Sequence, residues 1–119
     1  MYLYTGGTMD KKIPKNKYSE CNLSIAIECI GGKWRLPIIW ALYKNEYLRF
    51  NQLKREIEGI TPHMLTQSLK DLESFSVINR TQYNEIPPKV EYSLSQIGLE
   101  LIPILIELSK WGKNIKRSL

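Results

Sequence analysis

Residues 60–92 read ITPHMLTQSLKDLESFSVINRTQYNEIPPKVEY, and this stretch decides the fold. Thr61 can accept a backbone N–H as a helix cap, and Pro62 suits the first helical position, where no hydrogen bond is lost. Leu65, Leu69 and Leu72 then recur at helical spacing. One face is therefore buried, and His63, Thr66, Gln67 and Lys70 lie on the other. After Phe75 the pattern turns to two short β-type runs, Val77 to Tyr83 and Val90 to Leu94, separated by Glu85-Ile86-Pro87-Pro88-Lys89. The spacing predicts a helix over 62–75 and a hairpin over 77–94.

Working outward, Asn51 is a cap for a short preceding helix with Leu53 and Ile57 inward and Gly59 at its end. Two helices and a hairpin in this order make a helix-turn-helix with a wing, which offers a polar helix to a DNA groove. Tyr47-Leu48-Arg49-Phe50 reads as a third strand. Upstream, Asn22 caps a helix over Leu23 to Ile30 that is apolar almost all round, Gly31-Gly32 ends it, and a second helix runs from Trp34 to Lys44 with Pro37 in its first turn. Downstream, Ser95 caps a long helix over 96–116 in which Pro103 is expected to introduce a kink. Ile97, Leu101, Ile104, Leu105, Leu108 and Trp111 form one wide stripe of it, with Leu99, Ile102 and Ile106 largely outside. A small domain cannot cover both surfaces, so the first and last helices predict a homodimer with two-fold symmetry. The fold expected is mainly α with a small β-hairpin wing: a winged helix-turn-helix with additional N- and C-terminal dimerisation helices. Residues 1–19 form a polar, Lys-rich arm before a domain spanning 20–117, and Met9 is a plausible start.

The 119 residues make one domain, and hydrophobic (43%) and charged (24%) fractions are ordinary for a soluble globular chain. The formal charge of +5 is concentrated at the ends: residues 1–17 carry +3 and 110–119 carry +4, while 18–109 carry −2. Bulk basicity alone therefore does not argue for nucleic acid; convergence of basic residues on one surface would. No apolar run approaches the ~20 residues of a membrane span, and no secretory signal precedes Cys21 and Cys29. The expectation is a cytoplasmic protein with reduced thiols. His63 is the sole histidine, which leaves no zinc cluster, and no nucleophile–base pair, paired carboxylates or Gly-rich phosphate loop suggests an enzyme or a cofactor.

Taken together, Ile30-Gly31-Gly32-Lys33-Trp34, Leu48-Arg49-Phe50-Asn51-Gln52-Leu53, Ile60-Thr61 through Met64-Leu65-Thr66, Leu69-Lys70-Asp71-Leu72-Glu73, and Tyr83 with Pro87 through Leu94 to Gly98 resemble the HxlR family of bacterial winged helix-turn-helix transcription regulators. The resemblance covers about Cys21 to Gly112. It implies a dimeric DNA binder whose terminal helices form the dimer interface. It also implies a sensor of electrophiles or oxidants at Cys21, the position used by several members. Two positions depart from the family pattern: Ser76 stands where Gly is common, and His63 where Lys is common.

Gln67 can pair bidentately with adenine, and Thr66 can meet a thymine methyl or a phosphate. Thr61 and His63, at the helix N-terminus, suit phosphate. Arg49, Lys54 and Arg55 lie before or within the preceding helix, and Arg80, Asn84 and Lys89 on the hairpin. All are candidates for backbone contacts, with Lys89 beside two stiffening prolines. The acids Glu56, Glu58, Asp71 and Glu73 must then face away from DNA. The aromatics Trp34, Trp40, Tyr43, Tyr92 and Trp111 read as core or dimer contacts. Cys21 lies near a positive helix end and close to Lys17, which lowers a thiol pKa, whereas Cys29 reads as structural. The alternatives are a bystander Cys21, a regulator answering a small hydrophobic ligand, and a protein-interaction winged helix that never meets DNA. The leading expectation is a repressor on a near-palindromic duplex operator, its half-sites about 34–36 Å apart or a multiple of that.

Overall fold

The computed structural model describes residues 21–119; the arm 1–19, the start at Met9 and the Lys17 neighbour of Cys21 lie outside the described residues. The chain divides at Gly31–Gly32 into two compact units.

The first unit contributes helix α1, Asn22–Ile30. Its cap position is Cys21, one residue before the expected Asn22: Cys21 has extended backbone (φ −120°, ψ 101°), and its carbonyl accepts the first helical bond from Ile25 at 3.2 Å. Asn22 is already helical, so its side chain cannot do the capping. Leu23, Ile25 and Ile27 are exposed along the helix.

The second unit runs α2 (Arg35–Asn45), β1 (Tyr47–Leu48), α3 (Phe50–Glu56), α4 (Pro62–Ser74), β2 (Ile78–Tyr83), β3 (Lys89–Leu94) and α5 (Gln96–Ser118). The sheet is antiparallel with order β1-β3-β2. Tyr47 and Leu48 pair with Ser93 and Tyr92, and Ile78 through Tyr83 pair with Leu94 down to Lys89. The expected third strand exists but is shorter, because Phe50 already belongs to α3. That helix starts earlier than an Asn51 cap would allow: the Gln52 Oε1 accepts the Arg49 backbone N–H at 2.8 Å, fixing the start at Arg49. It also ends at Glu56, and Gly59 (φ 87°) takes the left-handed turn into α4 at low cost.

Helix α4 forms as the sequence predicts. The Thr61 Oγ1 accepts the Met64 N–H at 3.1 Å, Pro62 occupies the first turn, and Phe75 closes the helix. The next residue, Ser76, takes φ 63°, the conformation a glycine would occupy without penalty. The core centres on α2, which meets α3, α4, α5, β1 and β3. Ile38, Ile39 and Leu42 of α2 are fully buried together with Leu53 of α3 and Leu65 and Leu72 of α4.

Helix α5 is capped as expected, the Ser95 Oγ accepting the Gly98 N–H at 3.1 Å. It stays helical through Pro103 and runs to Ser118. Periodicity left its inward side open between two apolar surfaces: Gly98 and Ile102 are buried, whereas Ile97, Ile104, Leu108 and Trp111 of the wide stripe are exposed. Leu101 and Leu105 of the wide stripe are half-buried beside them, and Leu99 and Ile106 on the other side are exposed, so the inward line straddles both apolar faces and leaves most of each uncovered.

The start of α5 is bound to the turn after α4. The Ser95 hydroxyl lies 2.6 Å from the Ser76 carbonyl and 2.9 Å from that of Val77, and the Ser95 N–H donates to Val77 at 2.9 Å. Gly98 packs so closely that an added Cβ would collide with the Val77 carbonyl. Urea denaturation should therefore separate two substitutions by sign. Gly98→Ala is expected to destabilise by about 1–3 kcal/mol through overpacking. Ser76→Gly is expected to stabilise by about 0.5–1 kcal/mol, because relief of the left-handed strain exceeds the added unfolded-state entropy.

Candidate nucleic-acid interface

Leu65, Leu69 and Leu72 anchor α4 in the core, each at most 2% exposed. Helical geometry then decides the other face: Thr61, His63, Thr66, Gln67 and Lys70 are all exposed. Five sequence candidates thus share one helix and its cap. Arg49, at the N-cap of α3, and Lys54, within that helix, are exposed as well. On the wing, Arg80 is exposed and makes one long contact, 3.4 Å to the Gln82 Oε1.

Lys89 is placed differently from a free cation at a wing tip. Its Nζ lies 3.7 Å from Glu85 and 3.8 Å from Glu91, and 4.6 Å from the centre of the Tyr83 ring. Its charge is already matched within the hairpin, and the acids flanking it in sequence were the available signal. Ile86, at the tip of the same hairpin, is fully exposed.

The sequence reading required Asp71 to face away from DNA. The carboxylate instead sits at the margin of the exposed face, with its side chain 32% exposed. Its Oδ2 accepts from Arg35 at 2.9 Å, and its Oδ1 accepts from the Gln67 Nε2 at 3.2 Å. The Arg35 guanidinium also lies 5.9 Å from the Phe75 ring centre. The negative charge is thereby neutralised where it stands. The Gln67–Asp71 spacing of four was readable in the sequence; Arg35, 36 residues from Asp71, was not.

Cys21 is partly exposed and Cys29 buried, and no disulfide joins them. The helix between them is intact, so their separation along its axis is about 12 Å, beyond the ~7 Å that a disulfide tolerates between Cα atoms. The Ser24 Oγ donates to the Cys21 Sγ at 3.1 Å, and this bond holds the thiol pKa below its ordinary range. Among the described residues no group of three His, Cys, Asp or Glu side chains could hold a metal ion, and no helix is long and apolar enough to cross a membrane.

A short helix, a turn, an anchored helix with an outward polar face and a three-stranded wing define a winged helix-turn-helix, the DNA-binding scaffold of transcriptional regulators. The HxlR-like helix-turn-helix family model matches residues 29–118, and the chain belongs to that family. The HTH-type transcriptional regulator YtcD of Bacillus subtilis, itself uncharacterised, is 46% identical over 100 residues, covering 84% of this chain and 78% of YtcD. Among solved structures, the redox regulator HypR in its reduced form superposes with a TM-score of 0.74 at 34% identity, over 82% of this chain and 99% of HypR. The reduced transcriptional regulator YodB from B. subtilis gives 0.71 at 30% identity, over 76% of this chain and 88% of YodB.

Removing the Ser24 hydroxyl takes away a hydrogen bond that favours the thiolate, so the Cys21 pKa should rise. In Ser24→Ala, alkylation of Cys21 by iodoacetamide at pH 7 is expected to slow a few-fold, and its pH–rate midpoint to move upward.

Proposed function

We propose that this protein acts as a homodimeric, sequence-specific repressor that inserts α4 of each subunit into the major groove of a near-palindromic operator in the cytoplasm. The carrying observation is the outward polar face of α4, Thr66, Gln67 and Lys70 behind Thr61 and His63, fixed by the burial of its leucines. In this reading Gln67 and Thr66 meet base edges, and Thr61, His63 and Lys70 meet phosphates, joined by Arg49, Lys54 and Arg80. Lys89 joins them only by exchanging its carboxylate partners for phosphate.

Two copies are supported by apolar surface that one chain leaves bare. On α5, Ile97, Ile104, Leu108 and Trp111 are 44–61% exposed, and on α1 Leu23 and Ile27 are 57% and 56% exposed. Apolar stripes of this kind on each helix find cover in a second copy, and a two-fold pair of reading helices matches an inverted repeat. Cys21 gives the regulator an input: oxidation or alkylation at the start of α1 alters the helix that holds the subunits and so the spacing of the reading helices. The lowered thiol pKa and the likeness to the redox regulator HypR support that input.

Fluorescence anisotropy on a duplex selected by the protein from a random pool tests the binding. If about three of the four cations Arg49, Lys54, Lys70 and Arg80 release counterions in each subunit, log K should fall with log salt at a slope of roughly −5. Absence of salt-sensitive duplex binding would contradict the proposal and favour a protein-interaction role. Diamide should release the wild-type protein from this duplex and leave Cys21→Ser bound; equal release of both would remove Cys21 from the mechanism.

A further inference from the structure

The contacts of Gln67 carry the reading of α4 further, and the step rests on the DNA-binding proposal above. We propose that Asp71, held in place by Arg35, is a positioning residue that presets the Gln67 amide for adenine.

A glutamine amide has two faces of opposite chemistry, an acceptor oxygen and a donor NH2, and a solvated one is free to turn either way. An ionised carboxylate only accepts hydrogen bonds. The Asp71 Oδ1, 3.2 Å from the Gln67 Nε2, therefore admits the nitrogen and excludes the oxygen. One of the two N–H groups is engaged there. With the N–H anti to Oε1 engaged, the other stays beside Oε1, and this donor–acceptor edge is the one that adenine N7 and N6 require. Asp71 can serve only if its own position is fixed and its charge is neutralised near phosphates. Arg35 supplies both: it binds Oδ2 at 2.9 Å, and its guanidinium lies over Phe75, the residue that closes α4. Arg35 is largely covered, its side chain 19% exposed, so its part is played through Asp71 rather than on DNA.

The test uses the full chain, the duplex that the wild-type protein selects from a random pool, and every single-base-pair variant of one half-site. Gln67→Ala should lose about tenfold discrimination at one adenine position, within the range of a bidentate contact. Asp71→Ala should lose several-fold discrimination at that same position, with preferences elsewhere and the salt slope unchanged. In the Gln67→Ala background, Asp71→Ala should cost no further discrimination. A merely structural role would weaken all duplexes alike, so the position-specific loss separates the two. Arg35→Lys, which keeps the charge but not the planar fork, should reproduce the same selective loss and gives the readout if Asp71→Ala does not fold. The proposal is overturned if Gln67→Ala retains discrimination at every position, if both positioning variants retain it or lose it uniformly, or if the losses at Gln67 and Asp71 simply add. A wild-type chain with no salt-sensitive binding overturns the DNA-binding reading and this one with it, an outcome distinct from the others.

Discussion

Everything in the second unit depends on the burial of one helix, α2. Ile38, Ile39 and Leu42 are almost completely removed from water, and the three leucines of α4 join the same core. Each buried leucine contributes about 1.5–3 kcal/mol relative to exposure. Rotating α4 about its axis would forfeit several of these together. The outward direction of Thr66, Gln67 and Lys70 is thus a consequence of what the opposite side of the helix buries. A DNA-facing surface needs no stabilisation of its own when it is the reverse side of a core.

A second constraint ties α4 to the long terminal helix. Ser95 belongs to the cap of α5, yet its hydroxyl reaches the carbonyls of Ser76 and Val77 at the end of the α4 turn. Gly98 lets the first turn of α5 lie against the same backbone. A displacement of α5 is therefore felt directly at the C-terminal end of α4. In the proposed dimer, held by the broad apolar stripe of α5, that junction would set the separation of the two polar faces. The strained Ser76 sits within it, held at positive φ while its carbonyl accepts from Ser95.

Much of this was legible in the residues. Thr61-Pro62 and Ser95 marked helix starts because their chemistry is local, and the leucines of α4 marked its buried face because helical spacing is strict. Ser76, where the family resemblance has glycine, left a less favoured backbone or a different turn geometry open, and φ 63° is the first of these. The caps of α1 and α3 were less legible: Asn51 and Asn22 looked like caps, but the boundary fell at Arg49, through the Gln52 side chain, and at Cys21. The inward face of α5 was ambiguous because both of its sides are apolar, and only packing against the rest of the unit selects Ile102. Within the site, the exposed face of α4 was readable from periodicity. The Arg35–Asp71 pair was not inferred, since it depends on which partner the folded chain brings near; Glu85 and Glu91 stood close to Lys89 in sequence, but their pairing with it was not drawn from that spacing.

In the proposed mode of action the polar face of α4 is the surface that meets DNA. Hydrogen exchange of the full chain, measured free and saturated with its selected duplex, probes that face directly. Added protection is expected in peptides covering residues 61–70, at the amides that begin the helix and along its first turns. Unchanged exchange in 61–70, with the duplex bound and protection gained elsewhere, would contradict it.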